Sequence, residues 1–249
     1  MTPEGWQAKK LHELGFVGRG RSRHRPRNDP KLYGGDYPFV QTGDVKAAEF
    51  WITEYSQTYN EEGLKQSKIW DRGTLCITIA ANIAETAVLG LNACFPDSIV
   101  GFVPNEDKAD VAFIKYYIDL IKMQMQSISQ GTTQDNLSLG KLETFDFIVP
   151  DVKLQRKIAS IILAYDDLIE NNRQRIDALG IAAQALYREW FVEMRFPGWQ
   201  DVEWVESDLG AIPSGWEWVR LDSIAEINAR SIRKENAPDE INYINISSV

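Results

Sequence analysis

The sequence has little of what binds metals, carries redox chemistry or crosses membranes. Its 249 residues hold two cysteines and two histidines. Cys76 and Cys94 stand in apolar surroundings without C-x-x-C spacing, and His12 and His24 lie far from both. A zinc site is not expected on that spacing, and reduced, buried thiols in a cytoplasmic protein are the expectation. No apolar run approaches the ~18 residues of a membrane span, and MTPEGWQAKK lacks the apolar core of a secretory leader. There is no G-x-x-x-x-G-K-[ST] phosphate loop, and with no two prolines adjacent there is no Asn-Pro-Pro-Tyr-like tetrapeptide. Gly18 and Gly20 are spaced as in a nucleotide loop, but the interleaved arginines and Pro26 rule out a dinucleotide strand–turn–helix. Asp97, Glu106 and Lys108 fit the loose acid…Glu-x-Lys pattern of Mg²⁺-dependent nucleases. Glu106–Lys108 follow Pro104-Asn105 in an expected turn, however, where a nuclease needs a strand.

What is present is unevenly charged. The net charge is −9, yet residues 1–35 carry eight Lys and Arg against three acids, which leaves −14 on the remainder. Two kinds of partner surface are implied, one basic and local, one acidic and broad. The basic run, Arg19, Arg21, Arg23, Arg25 and Arg27, is interleaved with Gly, Ser and Pro, which forbid a stable helix or a central strand. It reads as an exposed loop, either gripping phosphates or merely solvated.

The longest feature runs from Leu154 to Arg195, 42 residues with one glycine and no proline. Apolar residues return in two heptad rows. One is Ile162, Ile169, Ile176, Ala183 and Trp190; the other is Ile158, Tyr165, Asn172, Leu179 and Leu186. This is a coiled-coil-type seam, with Asn172 the polar member that would fix register. A straight helix of this length spans roughly 63 Å. Leu154, Ile161 and Leu168 widen the stripe at its start, predicting that this end packs on the preceding domain. Asp151 is the expected N-cap, and Arg195-Phe196-Pro197-Gly198 the expected stop.

Before the helix, YPFVQTGDV (37–45), GTLCITIA (73–80), TAVLGL (86–91), SIVGFVP (98–104) and FDFIVP (145–150) read as strands. Residues 110–128 read as a helix presenting Phe113, Tyr117, Leu120 and Ile121, and 129–142 as a polar loop. The fold class is α+β: a globular domain with a mixed β-sheet over 1–150, a spacer or dimerisation helix over 151–196, and the start of a second repeat over 197–249. In the polar loop, Gln130, Gly131, Thr132, Thr133, Gln134 and Asn136 suit adenine, because amides bond it bidentately and glycine admits the backbone. An ordinary helix–strand connection is the competing reading. Gln41 and Thr42 are a second reader or simply a strand end. The repeat rests on AIPSGWEWVRLDSIAEI (211–227), where Pro213, Gly215, Trp216 and Leu221 fall 210 positions after Pro3, Gly5, Trp6 and Leu11. INYINISSV (241–249) matches YPFVQTGDV in pattern, 204 positions on.

GTTQDNL (131–137), FDFIVP leading into LQRKIASII, DDLIENNRQRI, and ALYREWFVEMRFPG followed by IPSGWEWVRL resemble the specificity subunits of type I restriction-modification systems. The resemblance covers essentially the whole chain and is specific over 130–225. It implies a non-catalytic subunit reading one half of a split site on double-stranded DNA, with two long helices pairing antiparallel as a spacer. Modification subunits would bring S-adenosylmethionine-dependent methylation, and restriction or motor subunits ATP and Mg²⁺, so no cofactor is expected in this chain. Relative to that pattern the chain ends inside a second domain, and a half-length subunit associating with itself through the seam is the expectation. The alternatives are a coiled-coil interaction protein without a DNA role and the Mg²⁺-dependent nuclease.

Overall fold

The computed structural model describes residues 3–130 and 137–226. In chain order the elements are β1 (Gln7–Lys9), α1 (Leu11–Leu14), β2 (Gly15–Arg19), β3 (Tyr33–Phe39), α2 (Thr42–Ala47), β4 (Trp51–Ile52), β5 (Gln57–Tyr59), α3 (Glu61–Lys65), β6 (Ile69–Trp70), β7 (Leu75–Thr78), β8 (Thr86–Leu89), β9 (Ala93–Cys94) and β10 (Ile99–Pro104). They continue as α4 (Val111–Gln130), α5 (Leu139–Leu142), β11 (Phe147–Val149), α6 (Val152–Tyr187), β12 (Trp204–Ser207), β13 (Gly210–Pro213) and α7 (Leu221–Ile224). The chain divides into two units, Met1–Arg173 and Gln174–Val249, the division falling inside α6.

The first unit is α+β with mixed sheets. A five-stranded sheet, order β2-β10-β7-β8-β4, is antiparallel except for the parallel β4–β8 pair. A four-stranded sheet, order β5-β3-β9-β6, has one parallel pair, β3–β9. The strands β7, β8 and β10 are almost wholly buried Val, Ile, Leu, Ala, Cys and Phe, as sheets covered on both faces require. On one face lies α4, whose Ile114, Ile118 and Met125 are fully buried against Leu75, Ile77, Val100 and Phe102. On the other, Trp70 stacks on Phe95 with ring centroids 4.9 Å apart. Cys76 and Cys94 are free and buried, and burial pushes both thiols up from their ordinary pKa.

Several expected elements differ. The strand expected over 37–45 stops at Phe39, because the Asp44 carboxylate accepts the Gln41 N–H at 2.7 Å and turns the chain into α2. The basic loop begins as a strand: β2 carries Gly15–Arg19 at the sheet edge. Glycine is required there for close approach, since a Cβ on Gly20 would meet the Pro96 carbonyl oxygen at 2.3 Å and the Phe95 ring at 2.4 Å. Leu120, expected on the buried face of the 110–128 helix, points to solvent at 80% exposed, because Ala112, Ile114 and Ile118 set the packed face instead. The helix continues to Gln130 and α5 occupies Leu139–Leu142, so the expected loop is shorter.

The long helix is present, but its docking differs from expectation. Leu154, Ile161 and Leu168 are exposed, and the face against the first unit carries Gln155, Ile158, Ala159 and Leu163. Gln155 is fully buried. Its Oε1 accepts the Asp110 N–H at 3.0 Å, and its Nε2 donates to the Lys108 and Pro150 carbonyls at 3.0 and 2.9 Å. A polar side chain wins this place because three otherwise unpaired backbone groups converge on it. Asp151 caps the helix, its Oδ1 accepting the N–H groups of Lys153 and Leu154.

In the second unit the α-helix ends at Tyr187, eight residues before Arg195, and relaxes into a π-helical turn over Arg188–Val192. Glu193 N–H bonds the Arg188 carbonyl, and Met194 takes a positive φ of 55°, which no regular helix continues through. Trp216 stacks on Phe196 at 5.5 Å and tilts against Phe191 at 6.3 Å. The 210-residue repeat is visible as conformation. Trp6 N–H bonds the Pro3 carbonyl around Gly5 at φ 81°, and Trp216 N–H bonds the Pro213 carbonyl around Gly215 at φ 88°. The short helices that follow, α1 and α7, start at equivalent positions. The 241–249 segment lies outside the described residues.

Candidate nucleic-acid interface

The basic arm is anchored to the domain. Arg21 donates its guanidinium to the Ser67 carbonyl, and its own N–H bonds the Phe95 carbonyl at 2.9 Å. Arg19 Nε donates to the Asp97 carbonyl at 2.9 Å, and Arg27 pairs with the Asp97 carboxylate at 2.6 Å. Arg25 folds back onto the carbonyls of Ser22 and His24 at 2.7 and 2.8 Å. Arg23 is exposed, and its guanidinium has no partner among the described residues. His24 Nε2 and the Asp29 carboxylate stand 2.9 Å apart, and the Lys31 N–H, before the histidine, holds Asp29 below the usual carboxylate range. The five arginines therefore differ: Arg21 is part of the architecture, and Arg23 is free for an anion.

The fold then joins residues that the sequence keeps apart. A cleft of about 470 Å³ is lined by Ser22, Arg27 and Asn28 of the arm, Phe39, Gln41 and Thr42 from the β3–α2 turn, Gln57 of β5, Tyr33, Ala80, Ala81, Pro96 and Ser98. Gln41 Nε2 donates to Gln57 Oε1 at 2.7 Å. Beneath it the stacked Phe39 and Tyr59 rings, 4.0 Å apart, form a rigid floor with Tyr33. Burial, then the Tyr59 hydroxyl, pushes the Tyr33 pKa up to about 12, so it remains a donor, bonding the Arg27 carbonyl at 2.6 Å. At the rim Ala81 has a φ of 61°, a left-handed conformation that costs a side-chain-bearing residue roughly 1–2 kcal/mol. Leu137, where the description resumes, donates to the Ile79 carbonyl beside this rim. Residues 131–136, holding Gly131, Thr132, Thr133, Gln134 and Asn136, lie outside the described residues, and of Gln130 only the helical backbone is described. Gln57 escaped sequence reasoning because only β3–β5 pairing, which sets Phe39 opposite Gln57, brings it to Gln41.

The nuclease pattern comes apart. Asp97 precedes β10 and Glu106 follows it, so the six-residue strand holds them roughly 20 Å apart, too far to share a metal ion. Asp97 is also engaged by Arg27. Among the described residues no group of three or more His, Cys, Asp or Glu is placed to hold a metal ion.

A second cleft, of about 650 Å³, lies between the 44–56 segment and the middle of α6. Asp44, Glu49, Glu54, Asp166, Asp167 and Glu170 line it beside the exposed Trp51 and Tyr55. Tyr116 donates to Asp166 at 2.5 Å, and Arg173 pairs with Glu49, tying this part of α6 to the first unit. Carboxylates beside aromatic faces suit a cationic side chain. Along α6, Tyr165, Ile169, Asn172, Ile176, Leu179, Ala183 and Leu186 are exposed, whereas Ile162, and Trp190 in the turn that follows the helix, are half-buried. Ile176 and Leu179 are 68% and 70% exposed, an apolar stripe too continuous to be incidental. No helix among the described residues is long and apolar enough to cross a membrane.

Comparison with known proteins agrees with this architecture. The model of the type I restriction modification DNA specificity domain matches residues 3–180. The type I restriction enzyme MjaIX specificity subunit of Methanocaldococcus jannaschii is 28% identical over 250 residues, 97% of this chain and 55% of that protein. The MjaVIII specificity subunit of the same organism is 22% identical over 232 residues, 92% of this chain and 51% of that one. The chain thus spans about half the length of these curated relatives. The HsdS subunit of Thermoanaerobacter tengcongensis shares the fold with a TM-score of 0.51 at 20% identity, over 72% of this chain and 40% of that one. A match covering most of the chain, over the same domain and helix start that the structure joins through Gln155, is decisive: the chain belongs to the type I restriction modification DNA specificity domain family.

Proposed function

We propose that this chain is a non-catalytic DNA reader of a type I restriction-modification complex, recognising one half of a split double-stranded site. The observation that carries the reading is the cleft in which Arg27, Gln41, Thr42 and Gln57 meet, with the free Arg23 on the adjoining arm. Arg23 on a phosphate positions the protein, and the amides read base edges. The exposed stripe of α6 pairs antiparallel with a second long helix, supplied by a second repeat or by another copy, and so spaces two half-sites. The acidic cleft with Trp51 and Tyr55 docks a basic surface of a modification subunit. S-adenosylmethionine, ATP and Mg²⁺ belong to the modification and restriction subunits, and the place of action is the cytoplasm.

An electrophoretic mobility shift with the modification subunit, at low and at moderate salt, tests the reading. Retention of particular sequences that survives added salt is expected, because contacts that are purely to phosphate fade steeply with ionic strength. Binding that vanishes with salt and shows no sequence preference refutes it. Light scattering of Leu179→Glu beside the unsubstituted chain tests helix pairing; an unchanged mass for an associating species refutes that part.

A further inference from the structure

We infer that Gln57 is a specificity-positioning residue: it presets the Gln41 amide to read the edge of an A·T pair. This rests on the DNA-reading proposal and deepens it. Gln57 Oε1 accepts one Gln41 Nε2 hydrogen at 2.7 Å, which holds the Gln41 amide in place at the cleft. The backbone on both sides is held as well. The Asp44 carboxylate accepts the Gln41 N–H at 2.7 Å and the Ser56 hydroxyl at 3.2 Å, so one side chain clamps the turn bearing Gln41 to the residue before Gln57.

The chemistry left over selects the ligand. Gln41 keeps a carbonyl oxygen and one N–H, an adjacent acceptor and donor that match adenine N6–H and N7. The surroundings disfavour phosphate as the occupant, since the cation lining the cleft, Arg27, is already balanced by Asp97 at 2.6 Å. A charge-balanced cleft bearing amides with donors and acceptors to spare reads base edges better than it holds anions. An unheld glutamine could swing its amide out of the cleft; the bond to Gln57 holds it there before DNA arrives.

The test is selection from a randomised duplex DNA library, using the full chain with its modification subunit and sequencing the bound fraction. Gln41→Ala and Gln57→Ala are each expected to flatten the same single base position, discrimination there falling about five- to a hundredfold. The remaining motif should persist, and the double variant should lose no more than Gln41→Ala. Gln57→Glu keeps the acceptor for Gln41 Nε2 and should restore the A·T preference to within about threefold. The inference is overturned if Gln57→Ala leaves the motif intact, flattens a different position, or weakens all sequences equally. Absence of any motif for the unsubstituted chain would instead remove the DNA-reading proposal on which this one stands.

Discussion

Replacing Gln155 by Ala or Leu should destabilise the first unit far more than trimming its apolar neighbour Leu154. The Gln155 side chain is fully buried and satisfies the Asp110 N–H and the carbonyls of Lys108 and Pro150, all within 3.0 Å. At a net ~1 kcal/mol per buried hydrogen bond, losing three costs about 3 kcal/mol, and more if water cannot reach the orphaned groups. Leucine fills the volume, so Gln155→Leu isolates the polar cost from the cavity that Gln155→Ala adds. Leu154 is 38% exposed, and Leu154→Ala should cost under about 1 kcal/mol. Urea denaturation gives the totals. Hydrogen exchange at the Asp110 amide gives a local readout that does not require the two units to unfold together. Gln155→Leu within about 0.5 kcal/mol of the unsubstituted protein, with Asp110 exchange unchanged, would refute the reasoning.

The arm offers a contrast. Arg21→Ala should lower stability by about 1 kcal/mol through its lost bond to Ser67, whereas Arg23→Ala should leave melting unchanged and reduce the salt slope of DNA binding by about one. Ala81→Gly should leave the melting temperature unchanged or raise it, because relief of the left-handed strain offsets the added unfolded-state entropy; Ala81→Val should lower it. Tyr33, raised from 10.0 to about 12 in the folded protein, holds its proton where the unfolded chain releases it. Stability from this group is therefore complete below pH 10 and is lost as pH rises toward 12. Chemical denaturation across that range should show a loss that Tyr33→Phe reduces, the buried thiols of Cys76 and Cys94 contributing to the rest.

What the sequence made legible was periodicity and punctuation. The long run after Pro150 was readable as a helix because its apolar residues repeat every three or four positions. Pro-x-Gly-Trp was readable as a repeat from its 210-residue spacing; that both copies are turns, with glycine at φ of 81° and 88°, the structure adds. The docked face of α6 was hidden because hydrophobicity points to Leu154, Ile161 and Leu168, while the packed positions are a glutamine and an alanine. Complementarity to loose backbone groups is a tertiary fact. The β2 strand was hidden by its glycines, which sheet propensity counts against and of which Gly15 is made necessary by the Val103 carbonyl and the Pro104 backbone. At the candidate site, Gln41 and Arg27 were visible by residue type alone. Their shared cleft, and Gln57 with them, depended on strand pairings between segments far apart in sequence.

The first and last strands of the first unit lie side by side, with Gln7 opposite Val149, Ala8 opposite Ile148 and Lys9 opposite Phe147. Everything between Lys9 and Phe147 enters and leaves through that three-pair seam. Because the ladder is antiparallel, tension between the N-terminal turn and α6 meets its Gln7–Val149 end and opens it one pair at a time, as a zipper rather than in shear. The cleft and its sheets lie off the load path, and the buried amide of Gln155, bonded to Pro150 just beyond the ladder, is the stop that a pull along the helix must pass first.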